Sequence, residues 1–419
     1  MSAARRLLDD CFLHDKDRLR HDEVLALLEE RLAPVAKAET VALEEAHGRV
    51  LAGEVRAPRP IPAHTNAAVD GYAVRAGDLN AQGMTRLPIA ERVAAGDTRG
   101  VALEPGAAVR IFTGAPMPDG ADTVYMQEDC ESDGQTVELP AGIKPGANVR
   151  AAGEDFADGT LVAAAGKRLR PQDLAAIAAT GQSEVSCYAP LSVALMSTGD
   201  EVLQPGAPFR KGQVYDSNRF LLKGLLDTVN VTVSDLGIVP DDEKTVRRTI
   251  LEASRRHDVI LTTGGASRGE EDHIVTVMAD EGRLHAWQLA VKPGRPLAFG
   301  QIGDTVFLGL PGNPVAAFVC FLFYAQPMFA HLQGAHWTPP KRFSVPAAFS
   351  IAKKKPDRRE FWRAWMENGR AHKFQRDGSG LISGLTAADG LIEVPEEATS
   401  LAKGDLVSFI PFSEFGMRG

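Results

Sequence analysis

The period of the apolar positions changes several times along this chain, and the changes divide it. In residues 22–32, Leu25, Leu28 and Leu32 recur at helical spacing behind Asp22 and Glu23. Acidic residues are favoured at the positive end of a helix dipole, so a helix is predicted there. From about residue 60 to 145 the pattern becomes short apolar runs, such as 88–94 and 107–112, broken by Gly, Pro and Asp. No sustained helical period appears, which predicts a small all-β unit. Helical character returns at 171–180, where Pro171 suits a first turn and Gly181 the position just past the end. The stretches on either side of the β unit are therefore read as one discontinuous unit.

From 190 to 335, strand-like and helix-like segments alternate. Residues 191–196, 231–239, 259–261, 284–291 and 305–310 read as strands. Helices are predicted after the cap Asp216-Ser217-Asn218, after Asp241-Asp242, over about 270–278 and from Pro314. Such alternation predicts a mainly parallel, doubly wound sheet with helices on both faces, a three-layer α/β unit. The tail from 340 returns to short alternating runs, clearest at 391–394 and 406–410, and predicts a small β-barrel. The chain is read as multidomain, α/β plus all-β. Its parts are 1–60 with 145–188, an inserted β part at 61–144, an α/β part at 189–336 and a C-terminal part at 337–419.

Length and composition agree. A chain of 419 residues exceeds one ordinary core. A net charge of -9 argues against a nucleic-acid binder and requires that any anionic ligand be held by a local basic pocket. Cys11, Cys130, Cys187 and Cys320 are scattered without CxxC spacing, which points to free thiols in a cytoplasmic protein. The N-terminus has no secretory pattern. The apolar run 315–330 follows a Pro-Gly-Asn-Pro turn and reads as a buried helix, so no membrane is implied. The basic run 353–359, KKKPDRR, reads as a solvated loop.

Ligands of doubly wound sheets bind beyond the carboxyl ends of the strands. Three loops fall there. Ser197-Thr198-Gly199-Asp200-Glu201 pairs a Gly with two carboxylates able to hold hydrated magnesium, although a helix cap explains it equally well. In 262–272, Gly264, Gly265 and Gly269 let backbone N–H groups converge on a phosphate. Ser267 lies in that loop, and Asp272 is placed for a metal that bridges phosphate oxygens. Pro311-Gly312-Asn313 precedes Pro314 at a helix start and offers free N–H groups. Nearby, Lys292-Pro293-Gly294-Arg295-Pro296 frames two cations on a stiff backbone. Asp70-Gly71 reads as a type I′ hairpin turn, and Thr113-Gly114 as a strand end.

Eight motifs occur in order: NAAVDGYAVR at 66–75, IFTGA at 111–115, GED at 153–155, STGDEV at 197–202, VYDSN at 214–218, TGGASRGEED at 263–272, KPGRPL at 292–297 and LPGNPV at 310–315. Together they resemble the molybdopterin molybdenumtransferase family, the MoeA and gephyrin E-domain group. The resemblance implies an elongated four-domain protomer and a homodimer with an active site shared between protomers. It implies insertion of molybdate into adenylylated molybdopterin with magnesium, releasing AMP and forming molybdenum cofactor. The α/β part would hold the pterin-nucleotide. Glu201 and Asp272 match acidic positions tied to the metal and the pyrophosphate. Asp70, Thr113 and Asp155 match further catalytic positions, the first two reaching the partner protomer's pocket. Lys292 and Arg295 match a cationic pair near molybdate, and Arg363 and Ser379 match C-terminal molybdate contacts. Other cofactor-synthesis proteins and molybdoenzymes are the partners implied. Arg295 stands where Lys is usual, and Ala67, Val69 and Ala316 replace Ser, Met and Ser. Those changes bear on molybdate against tungstate selectivity. Two alternatives are molybdopterin adenylylation with ATP, and a non-catalytic gephyrin-like scaffold.

Overall fold

The computed structural model describes residues 18–264 and 273–417, apart from the side chains of 285–287. The chain is mixed α/β with several sheets. The largest α/β sheet runs, in spatial order, Thr232–Val239, Ser192–Thr198, Val259–Thr263, Thr305–Leu310, Pro296–Ile302 and Arg283–Gln288. The first four are parallel, and the last two pair antiparallel. The sheet is thus mainly parallel, as expected, with an antiparallel far edge. Gly303 and Asp304 join two strands directly, too few residues for a crossover helix, so the pair must run antiparallel.

Side-chain alternation explains why these strands are apolar throughout. Val193 and Leu195 face a cluster with the helix Asn218–Leu226 and the run Pro314–Leu332. Ala194 and Met196 face another, with the helices Glu243–Ser254 and His273–Glu281. Both faces are covered, so neither can be polar. The run Pro314–Leu332 is long and apolar enough to cross a membrane, but 94% of its most apolar window is buried inside the protein. It reads as a core helix, with a π-helical stretch at Phe321–Ala325.

Toward the N-terminus, Ala38–Ala42 and Val50–Leu51 both pair with Glu184–Tyr188, and Val55–Arg56 pairs with Leu161–Ala163. Between them lies a six-stranded mixed sheet in the order Thr123–Met126, Gly71–Val74, Ala108–Ile111, Met84–Val93, Thr136–Pro140 and Glu131–Ser132. Asp70-Gly71 is not a hairpin turn. Gly71 begins a central strand between two neighbours, and a Cβ on it would fall 1.7 Å from the Tyr125 carbonyl oxygen. Close backbone approach, not turn geometry, requires that glycine.

The C-terminal sheet orders Val291–Lys292, Arg359–Glu367, Gly390–Val394, Leu406–Pro411 and Phe343–Pro346. Its first strand belongs to the KPGRP segment, which stitches that segment onto the last part of the chain. The basic run 353–359 is only partly solvated: Lys353 and Lys355 are exposed as expected, but Lys354, Arg358 and Arg359 are not. Lys354 is buried, its ammonium donating to the carbonyls of Arg358 and Pro395 at 2.8 and 2.9 Å. Arg359 pairs with Asp22, Glu393 and Glu396.

Candidate active site

Three strand ends of the α/β sheet open into one cavity of about 1480 Å³, closed from the other side by the C-terminal part. Ser197 and Thr198 end the first strand, Thr263 and Gly264 the second, and Pro311, Gly312 and Asn313 follow the third. Gly264 has φ +85°, and a Cβ there would lie 2.8 Å from the Thr198 carbonyl oxygen. Only a residue without a side chain lets the first two loops approach so closely.

Asn218 pins the loops together. Its Nδ2 donates to Thr263 Oγ1 at 2.7 Å and to the Gly312 carbonyl at 2.8 Å. Within the VYDSN motif Asn218 was read only as part of a helix cap. Asp216 serves the helix end instead, accepting from the Arg219 amide at 3.1 Å, while Ser217 makes no side-chain cap. Asn218 Oδ1 and Ser197 Oγ are buried in the cavity lining without a hydrogen-bond partner among the described residues. Buried polar atoms of that kind are costly unless something completes them, and here both line a cavity.

Among the described residues the lining carries seven cations and three carboxylates. It is therefore net positive in a chain of net charge -9. Of the carboxylates, Asp216 is tied to Arg219 and Asp377 to Lys373. Burial works most strongly on Asp377 and against its ionisation, but the Lys373 hydrogen bond together with the charges of Lys373, Lys292 and Arg363 outweighs it and holds the carboxyl below its usual range. Glu201 has no ion-pair partner among the described residues and is exposed to the cavity. Among the cations, Arg363 is buried and donates to the Leu381 and Arg376 carbonyls at 2.7 and 3.0 Å. Burial pushes its pKa down. The Arg363 strand and Ser379 are carried to the cavity by the C-terminal part. The Ser379 carbonyl accepts from the Val315 amide at 2.9 Å, at the start of the long helix.

The structure thus gathers Ser197, Thr198, Glu201, Gly264, Lys292, Arg295, Pro311, Gly312, Asn313, Arg363 and Ser379 in one lining. Gly199 and Asp200 fall outside it; Gly199 backs Glu201, whose carboxylate lies 2.7 Å from where its Cβ would be. Gly265, Ser267 and Asp272 lie outside the described residues. Asp70, Thr113 and Asp155 are also outside the lining, in the N-terminal half. Asp70 Oδ1 accepts from both the amide and the hydroxyl of Thr113, at 2.8 and 2.7 Å. Those two bonds hold the Asp70 carboxyl below its usual range. Asp155 is exposed, and its amide donates to Ile61. Sequence reading gave no site role to Asn218, whose hydrogen bonds span long stretches of chain, nor to Arg358 and Lys373, whose ion pairs with Glu360 and Asp377 are local but whose place in the lining is set by the fold.

Three family profiles match in order: the MoeA N-terminal region, domains I and II, over residues 19–181; the probable molybdopterin binding domain over 194–331; and the MoeA C-terminal region, domain IV, over 345–412. Over 402 residues the chain is 37% identical to a molybdopterin molybdenumtransferase of Haemophilus influenzae, covering 94% of this chain and 98% of that one. The chain belongs to the molybdopterin molybdenumtransferase family. A second family member, molybdopterin molybdenumtransferase 2 of Mycobacterium tuberculosis, is 32% identical over 396 residues, 92% of this chain and 96% of that one. The crystal structure of a molybdopterin biosynthesis MoeA protein from Pyrococcus horikoshii superposes with a TM-score of 0.81 at 29% identity. It covers 94% of this chain and all of its own length.

Proposed function

We propose that this chain inserts molybdate into adenylylated molybdopterin, releasing AMP and leaving molybdenum cofactor. The observation that carries the proposal is the convergence of Lys292, Arg295, Arg363 and Ser379 with Glu201 in one net-positive cavity. The three strand-end loops hold the nucleotide side of the substrate, with Ser197 Oγ and Asn218 Oδ1, which have no partner among the described residues, available to its polar groups. The cations and Ser379 hold the tetrahedral oxyanion beside the dithiolene. The chain binds and orients both substrates, and no covalent protein intermediate is required.

The donor set fits magnesium. Glu201 is a hard oxygen donor without an ion-pair partner among the described residues, and this ion is commonly bound by one or two carboxylates plus substrate phosphates. Glu201, with Asp272 on the sequence reading, would hold it, and the ion would supply Lewis-acid neutralisation of charge on the pyrophosphate oxygens. Asp70 and Thr113 stand outside their own chain's cavity, which a homodimer sharing its sites would use. A cytoplasmic setting belongs to the same reading. So does a division at 1–60 with 145–188, 61–144, 189–336 and 337–419, which separate apolar clusters support for 41–187, 67–124 and 347–409, while one large cluster joins Val24, Leu28 and Leu32 to the α/β part and to Phe361, Leu391 and Ile410 of the last. The bridge from Ala347 to Ala371 supports closure of the C-terminal sheet as a small barrel.

The test is AMP release from adenylyl-molybdopterin on adding molybdate. Glu201→Gln is expected to keep its circular dichroism and slow that release by about a hundredfold, since metal-assisted charge neutralisation contributes several kcal/mol. An unchanged rate would remove the metal assignment. Pyrophosphate formed from ATP and molybdopterin, with no AMP release, would replace the function by adenylylation.

A further inference from the structure

One buried carboxylate touches two cations of the cavity wall, and they come from separate segments. Glu360, in the strand Arg359–Glu367, is 3% exposed. Its Oε1 accepts from Arg358 Nε at 2.8 Å and lies 2.7 Å from Arg358 Nη2. Its Oε2 accepts from Trp362 Nε1 at 2.9 Å and lies 3.8 Å from Lys292 Nζ. Backbone register pairs the same residues, Lys292 opposite Glu360 in a parallel ladder. Lys373 Nζ sits 5.5 Å above the Trp362 ring. Glu360 is not in the cavity lining, whereas Lys292, Arg358, Trp362 and Lys373 all are.

Burying a carboxylate beneath an anion-binding wall is electrostatically adverse unless it does something for the cations. What it does is geometric. A lysine side chain carries about 2 kcal/mol of rotamer entropy. Anchoring Lys292 and Arg358 on one fixed carboxylate removes part of that freedom before any ligand arrives.

We propose that Glu360 is a positioning residue that sets Lys292 and Arg358 as a paired clamp for a doubly charged tetrahedral oxyanion, Arg358 being a direct contact. This rests on the reading that the oxyanion substrate enters this cavity. Glu360→Gln separates the proposal from simple electrostatics by sign. Deleting a negative charge near an anion site should tighten binding if charge alone matters. The Gln amide, however, must turn its NH₂ toward either the Arg358 or the Trp362 donor, and one anchor is lost.

Inorganic molybdate is titrated calorimetrically into the full chain, and its KM is measured in the AMP-release assay. Glu360→Gln is expected to weaken molybdate about tenfold, the scale of one charge-assisted hydrogen bond. KM for molybdate should rise while kcat stays within about twofold, because uniform binding is what is lost. Arg358→Gln should weaken it comparably, and the double variant should be no weaker than the worse single one. Unchanged or tighter binding by Glu360→Gln, or independent effects that multiply, would overturn the proposal. If Glu360→Gln does not fold, Arg358→Gln decides alone: unaltered molybdate affinity refutes the clamp. A wild-type chain that binds no molybdate would instead sink the functional reading beneath it.

Discussion

Asn218 makes a quantitative prediction about how the cavity is held open. Asn218→Leu keeps the branching and heavy-atom count of the side chain but removes both donor bonds, to Thr263 Oγ1 and the Gly312 carbonyl. Thr263 can still donate toward Pro311, at 3.5 Å, so its hydroxyl is not stranded. The Gly312 carbonyl loses its side-chain donor. Two neutral hydrogen bonds at about 1 kcal/mol each, plus about 1 kcal/mol for the stranded carbonyl, come to about 2–3 kcal/mol. A chain of several units has no single unfolding free energy, so the cost should be read locally. Hydrogen exchange of amides 260–264 is the measurement, and opening should become about a hundredfold more frequent. On the proposed function, in which the same loops frame the nucleotide side, AMP affinity should fall with it. Exchange that changes by less than about twofold, with AMP affinity intact, would show that the loops hold their places without Asn218.

Two further predictions concern stability. His21 is buried against Tyr324, Phe323 and Phe361, and burial, with Arg359 nearby, pushes its pKa down to about 4. Its folded-state pKa is depressed, so the unfolded chain binds the extra proton between about pH 6.5 and 4, and stability present above pH 6.5 is lost as pH falls through that window. At pH 5 the loss is about 2 kcal/mol; His21→Leu should flatten the fall in Tm between pH 7 and 5, and an unaltered slope would refute the assignment. Gly264→Ala forces a Cβ to 2.8 Å from the Thr198 carbonyl oxygen at φ +85°. A loss of at least about 1–2 kcal/mol is expected in thermal unfolding, with weaker AMP binding, and a neutral result would mean the loop relaxes freely.

The cavity was legible where it depends on local chemistry. Apolar strands ending in Ser197-Thr198, Thr263-Gly264 and Pro311-Gly312 announce themselves, because hydrophobic runs and breaker residues are local signals. Pairing is not local. Asp70-Gly71 carries a favoured hairpin dipeptide, yet sheet register places Gly71 inside the sheet, between Ile111 and Met126. The KKKPDRR run looks solvated because its buried acceptors, the carbonyls near 395 and the carboxylates Glu393 and Glu396, arrive from a strand and turn that follow much later. Asn218, read only as part of a helix cap, and the contact of Glu360 with Lys292 depend on distant partners in the same way. Each is an ordinary polar residue whose role is defined only by what three-dimensional packing brings to it.

The Asp70–Thr113 pair shows how far geometry restricts chemistry. Both Thr113 donors are spent on one oxygen, Oδ1, so the other carboxylate oxygen is left for a different partner. The same bonds favour the ionised form, which makes Asp70 a poor proton donor near neutral pH and a good fixed anion. A fixed anion has nothing to do in its own chain's cavity, whose lining it does not join. In a shared site it would meet a lining that is already net positive, and there its charge would repel a misplaced oxyanion while attracting a cation or a hydrogen-bond donor. Asp70 therefore has a use at this cavity only when a second protomer carries it there.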